Sequence, residues 1–290
     1  MKPTNGGSIP SLPPDAATGT IGSPVLAPAL EKLYCHYNSF EHIHPDPLEF
    51  VYLYDSKSDR EISALIASAL AYGRVRQILR SVSTVLDIMG PSPSSYLLEN
   101  GPADIRNAFR SFKHRFTTGE MLSSLLAGIG KLILEYGSLE SCFLAGFSQG
   151  DRNVLPALAA FVKKVEHASG RVLPTFLPSP DGGSACKRLN LFLRWMVRSD
   201  NVDPGTWQTV PASHLIVPLD THMHRIAAKM GLTRRKQADI RCAIEITDAF
   251  ASIRPDDPVR YDFALTRFGI KPETLQMHHF FSLIKNGVEG

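Results

Sequence analysis

The chain contains no apolar run of the roughly 18 residues needed to cross a bilayer, so a membrane-embedded protein is not expected. Its four cysteines, Cys35, Cys142, Cys186 and Cys242, are widely scattered. None lies within zinc- or cluster-ligand spacing of another, and the pattern is that of free thiols in a reducing compartment. A strong excess of one charge is also missing: 31 Lys and Arg stand against 28 Asp and Glu, a formal net charge of +3. That balance permits a nucleic-acid partner without requiring one. The first 30 residues lack the basic start and apolar stretch of a secretory signal. Rich in Pro, Gly, Ser and Ala, residues 1–30 read as a disordered tail, which leaves 31–290 as the folded domain and predicts a cytoplasmic location.

Alternating strand patterns are nearly absent. Arg171–Leu177 is the one short candidate, and it contains a proline. Helical periodicity is what fills the chain. Ser58 and Glu61 have capping-box spacing ahead of Ile62, Leu65, Ile66 and Ala69. Ile78, Val82, Val85 and Leu86 repeat the pattern up to Gly90-Pro91. Thr117 and Glu120 form a second box before Leu122, Leu125, Leu126, Ile129, Leu132, Ile133 and Tyr136, with a stop at Gly137. Further helices run through Val154–Val165, from near Ser184 to Val197, through Thr221–Met230, and through Ile240–Phe250. Tyr261–Phe268 also looks helical and packed. The expected fold class is all-α, with nine to eleven helices.

Two loops that feed directly into helices carry the chemistry. In Asp181–Lys187, Gly182 and Gly183 allow close backbone approach, and a helix N-terminus with unpaired N–H groups follows. That combination suits a phosphate, and Lys187, expected about one turn into the helix, would keep its amine near the loop. The plain alternative is a Gly-rich helix start with a solvated lysine. In the second loop Pro218 stiffens the chain before Asp220, which is well suited to cap the helix that follows. Capping and catalysis are compatible, since a capping carboxylate is rigidly held. Between Asp181 and Arg241 ten basic residues face five acidic ones, so the positive charge gathers around these loops.

The Gly-containing hairpin, the lysine in the next helix and the later Pro218-Leu219-Asp220-Thr221-His222-Met223-His224-Arg225 segment resemble the helix-hairpin-helix (HhH-GPD) DNA glycosylase superfamily. Within it the chain looks most like a mainly bacterial family of uncharacterised glycosylase-like proteins. The resemblance runs from Leu33 to Gly269. Ala69-Leu70-Ala71-Tyr72-Gly73-Arg74, Gly183-Ser184-Ala185-Cys186-Lys187-Arg188-Leu189-Asn190 and Tyr261-Asp262-Phe263-Ala264-Leu265 carry it, together with the Asp220 segment. Three departures stand out. Pro180-Asp181-Gly182-Gly183 replaces the usual Leu-Pro-Gly-x-Gly hairpin. Lys187 and Asp220 are 33 positions apart, close to the spacing of the archaeal 8-oxoguanine DNA glycosylases and longer than in the endonuclease III type. The cysteine cluster that binds iron–sulfur in endonuclease III relatives is missing.

The resemblance implies a two-lobed helical fold with an atypical hairpin and a cleft between the lobes. It implies a monomer acting on double-stranded DNA with a damaged base, an oxidised one of the 8-oxoguanine kind, with no cofactor and no metal. Lys187 would be the Schiff-base nucleophile of a base-excision repair glycosylase and AP lyase, and Asp220 the catalytic acid. Gly182, Gly183, Ser184, Arg188, His222 and Arg225 would meet DNA. Tyr72, Arg74 and Trp195 would border the base pocket, with Trp207 and Phe263 as further aromatic candidates. Two other classes compete. A metal-dependent hydrolase could draw on His36, Glu41, His42, His44 and Asp46, or on His222 and His224. A non-catalytic DNA-binding module would need neither Lys187 nor Asp220 where they stand.

Overall fold

A computed structural model describes residues 26–270 and 282. Among them twelve α-helices alternate with loops and four short 3-10 turns, and the only sheet is one small hairpin. The fold class is all-α. No helix among the described residues is long and apolar enough to cross a membrane.

Helix α1 (Leu26–Tyr37) opens the described chain. Leu26 and Leu30 are fully buried, so the expected tail is cut short at its C-terminal end. Residues 1–25 lie outside the described residues. Helix α2 (Lys57–Ala69) runs through the centre, and every residue from Glu61 to Leu70 is buried. Its alanines and serines let neighbours approach closely. Ser63 and Ser68 satisfy their hydroxyls on the carbonyls of Phe50 and Leu65, the bonding that buried polar groups require. Helices α3 (Val75–Met89), α4 (Pro93–Glu99) and α5 (Pro102–Ala108) follow. Then come the strands β1 (Lys113–His114) and β2 (Thr117–Thr118), antiparallel, with His114 opposite Thr117.

Helix α6 (Gly119–Tyr136) packs along α8 (Leu155–Ser169), with the short α7 (Leu139–Leu144) between them in sequence. Helix α9 (Lys187–Val197) packs on α2. Helices α10 (Thr221–Lys229), α11 (Ile240–Ala251) and α12 (Asp262–Ile270) complete the order, and α12 is held between α1 and α10.

The helix count, twelve among the described residues, exceeds the expected nine to eleven, and four further expectations need correction. The N-cap of α2 is Ser56, which accepts from Asp59 N at 3.1 Å, and Ser58 lies inside the helix. Glu61 does not close a capping box. Its buried carboxylate turns to α7 instead and accepts from the amides of Leu139 and Glu140 and from Trp207 Nε1. The N-cap of α6 is Thr118, one residue later than expected. Helix α9 begins at Lys187 rather than near Ser184, because Cys186 takes a left-handed conformation at φ 48°. Arg171–Leu177 forms no strand.

Candidate functional site

Asp220 is the N-cap of α10. Its Oδ1 accepts from the amides of His222 at 2.9 Å and Met223 at 2.8 Å. This bonding fixes the carboxylate, because the free amides of a helix start seek such an acceptor. The second oxygen, Oδ2, lies 3.0 Å from Lys187 Nζ, and both side chains are 35% exposed. Burial pushes the Asp220 carboxyl up, but the Lys187 charge and the two amides outweigh it and hold the group below its ordinary range. A lysine at the first position of α9 and an aspartate at the cap of α10 are thus joined in an ion pair.

This pair stands where two cavities meet. The larger, of about 360 Å³, is lined by the Gly183–Arg188 segment, Tyr72, Leu219 and Asp239. The smaller, of about 110 Å³, is lined by Asp220, Asp262, Phe263, Arg194, Asp46 and apolar side chains. Lys187 and Ala71 border both.

A further carboxylate on the small cavity is that of Asp262. It is buried at the start of α12, ion-paired with Arg194, and its carboxyl is pushed up to about 6 by burial against the opposing pull of Arg194. Behind it lies a buried charge network. Arg194 Nε meets Asp203 Oδ1 at 3.2 Å. Arg198 pairs with Asp203, with Asp200 at 2.8 Å and with Asp257 at 3.0 Å. Tyr34 donates to Asp200 from α1. The wall of the small cavity is therefore braced from several elements at once. Phe263 lies beneath two guanidinium groups, those of Arg267 at 4.8 Å and Arg194 at 5.8 Å from its ring centre.

The other predicted residues divide. Gly182 and Gly183 are exposed at the turn Pro180–Gly182, with Gly183 at φ 76°, and Ser184 bridges to Asp239. Tyr72 lines the large cavity, with its hydroxyl on Thr117 Oγ1 at 2.6 Å and His114 O at 2.8 Å. Arg74 is exposed at the start of α3. Arg188 turns inward. It donates to the carbonyls of Ala69 and Thr175 and stacks on Tyr72 at 5.0 Å, so its guanidinium is already used within the fold. Trp195 is wholly buried in the core and lines neither cavity, and Trp207 is equally internal, tied to Glu61. His222 packs against α12. A Cβ on Gly269 would come within 2.0 Å of its Nε2, and its Nδ1 accepts from Arg225. Burial lowers the His222 pKa, with Asp220 pulling the other way.

Of the residues considered for a metal, His36 and His42 lie 5.8 Å apart between ring centres, with Glu41 3.9 Å from His42, but the rest have other partners. His44 bonds Glu49, while Asp46 caps a turn and pairs with Arg267. His224 reaches the Arg235 carbonyl. Among the described residues no three His, Cys, Asp or Glu side chains form a metal-holding group.

No curated protein and no solved structure matches the chain. Residues 46–271, well over half its length, match the family described as "Protein of unknown function (DUF2400)", and the chain belongs to that family.

Proposed function

We propose that the protein is a DNA base-excision glycosylase with AP-lyase activity, of the helix-hairpin-helix kind, taking an oxidised base from duplex DNA and needing no cofactor. The observation that carries this reading is the 3.0 Å contact between Lys187 Nζ and Asp220 Oδ2 at the junction of two cavities. A base leaving the stack needs a pocket, and the backbone beside it needs an open groove. The small cavity, with its carboxylates and Phe263, suits the first need, and the larger one beside the Gly183 turn suits the second.

The chemistry assigned to the pair is as follows. Asp220, held as a carboxylate, takes a proton from the Lys187 ammonium. The amine lone pair then forms a bond to C1′ while the C1′–N bond breaks, and the electron pair leaves with the base, which is protonated in turn. The transition state carries positive charge at C1′ and O4′, and the Asp220 carboxylate, restored as its proton passes to the departing base, lowers its energy. Opening of the sugar ring at C1′–O4′ gives the Schiff base on Lys187. Loss of a C2′ proton then expels the 3′ phosphate. The Pro180–Gly183 turn is assigned to the DNA backbone, and the protein is expected to act as a monomer.

Borohydride trapping on a duplex containing 8-oxoguanine tests this reading. A covalent adduct mapping to Lys187 is the expected result. DNA binding by folded protein without an adduct on either this duplex or one with a preformed abasic site would overturn the lyase assignment and leave a binding module.

A further inference from the structure

Among the described residues only Cys186 and Arg115 combine a side chain with a positive φ. A side chain in that left-handed region crowds its own backbone, so the conformation persists only where neighbours enforce it. It is also out of place at a helix start. The caps of α2, α3, α4, α6, α10 and α11 are extended, as caps normally are. Cys186 instead enters α9 at φ 48° and ψ 36°. Lys187 is the next residue, so the direction in which its amine leaves the backbone is set by a turn the chain does not favour.

Asn190 supplies the enforcement. It is 1% exposed, in a helix whose Leu189, Phe192 and Leu193 are equally buried. An amide is a poor choice there. Asparagine disfavours helix interiors, burying its polar atoms is costly, and its Oδ1 has no hydrogen-bond partner among the described residues. The other atom of the amide accounts for its presence. Helical side chains lean toward the N-terminus, and Asn190 Nδ2 donates to the Ala185 carbonyl at 3.0 Å. The Asn190 backbone amide donates to the Cys186 carbonyl at 2.9 Å. One residue therefore holds the peptide plane before Cys186 with its side chain and the plane after it with its backbone. The relative orientation of those two planes is what φ and ψ of Cys186 describe. Cys186 Sγ, donating to Pro178 O at 3.1 Å, adds a tether to the preceding loop.

We propose that Asn190 is a positioning residue for Lys187, which keeps Cys186 left-handed and so presents the lysine amine to Asp220 and the two cavities. The assignment rests on the glycosylase reading and deepens it. Without the Asn190 amide the plane between Ala185 and Cys186 is free to turn. Cys186 then relaxes toward the right-handed or extended regions, and Lys187 is carried away from its 3.0 Å contact with Asp220.

The test is a double-mutant cycle on the full chain between Asn190→Leu and Cys186→Gly. Leucine is close to asparagine in shape but cannot hold Ala185 O. It removes one unmet polar atom, Asn190 Oδ1, and leaves another at Ala185 O, so the urea midpoint should move little. Circular dichroism checks folding, and Asn190→Ala takes its place in the cycle if the leucine variant does not fold. With Cys186 present, Asn190→Leu should slow single-turnover borohydride trapping on a preformed abasic site on the order of tenfold. Glycine enters the left-handed region freely, so in the Cys186→Gly background the same substitution should cost less than about threefold. A second readout needs no DNA. Hydrogen exchange over residues 183–188 should be faster in Asn190→Leu, with α2 and α6 unchanged. Equal trapping by wild type and Asn190→Leu, or equal losses in the two backgrounds, overturns the positioning role alone. No adduct from wild type on any substrate, with faster exchange confined to 183–188 in the variant, overturns the glycosylase reading alone. No adduct and unchanged exchange overturns both.

Discussion

Helix α9 carries two kinds of ion pair, and their difference separates support from chemistry. At its C-terminal end Arg194 and Arg198 are 3% and 4% exposed and share four carboxylates between them. At its N-terminal end Lys187 meets Asp220, each 35% exposed, with Lys187 open to both cavities and Asp220 to the smaller. The arginines are saturated with acceptors and have no room to move. Lysine, a point charge on a flexible stem, can lose its proton and its partner, which a guanidinium cannot do. One helix therefore anchors the cavity wall with one end and presents an amine that solvent reaches with the other.

The contrast is broken most severely from the buried end. Arg194→Ala leaves Asp203 and Asp262 without one of their cations in a dry interior, a change that costs about 3–5 kcal/mol. Urea denaturation should show a loss of that size. A loss below about 1 kcal/mol would mean that the network is hydrated and the distinction drawn here is wrong.

The two ends should also respond to pH with opposite sign. Asp262 has a folded pKa of about 6 against an ordinary 3.8, so between those values the native state holds a proton that the unfolded chain has lost. Its contribution to stability therefore falls as pH rises through that window. Asp220 is held below 3.8, so its contribution is complete above that value and is lost as pH falls through its folded pKa. Subtracting the stability–pH curve of Asp262→Asn from that of wild type should leave a decline on the order of 2 kcal/mol from about pH 4 to about pH 6. The Asp220→Asn difference should be flat in that range and move only at more acid pH. Matching slopes for the two variants would remove the electrostatic distinction.

Smaller still is the capping contribution. Asp220→Ala removes the acceptor for two helix amides and should cost about 1–2 kcal/mol, whereas Asp220→Asn keeps an acceptor and should cost less. Both should lose strand cleavage. If Asp220→Asn cleaved at the wild-type rate, the carboxylate would be a cap and nothing more.

What the sequence disclosed follows the same division between local and distant causes. Helices α3, α6, α8 and α11 announce themselves because their apolar spacing is a local property, and so does the Asp220 cap, set by Pro218 ahead and a periodic run behind. Caps at α2 and α6 slip by one or two residues because adjacent Ser or Thr residues have equal intrinsic merit. At α2 the choice is made from a distance, where Asp59 is engaged by Ser92 and Ser94 of the next segment. No local signal places Cys186 in a left-handed conformation, so the start of α9 was set too early. Arg188 looks like a DNA contact, and Arg194 and Arg198 like solvated helix residues, until the carbonyls and carboxylates that enclose them are known. Two-residue strands are too short to show alternation, which hid the hairpin. The Lys187–Asp220 pair was reached through motif resemblance, since no periodicity links positions so far apart in sequence.

The smallest expected change in stability belongs to the residue with the largest expected change in chemistry. Lys187→Gln removes one partner of a pair that water still reaches, and such pairs contribute about 0–1 kcal/mol. Asp220 keeps its two amide donors in that variant, so its charge is not stranded. Glutamine is close to lysine in length but cannot form a Schiff base, so borohydride trapping should vanish while the urea midpoint barely moves. DNA affinity should fall only modestly, because a single phosphate-range cation is lost among many. Persistence of the adduct would place the nucleophile elsewhere. A large loss of stability would mean that Lys187 belongs with Arg194 and Arg198 as a brace, and that α9 carries support along its whole length.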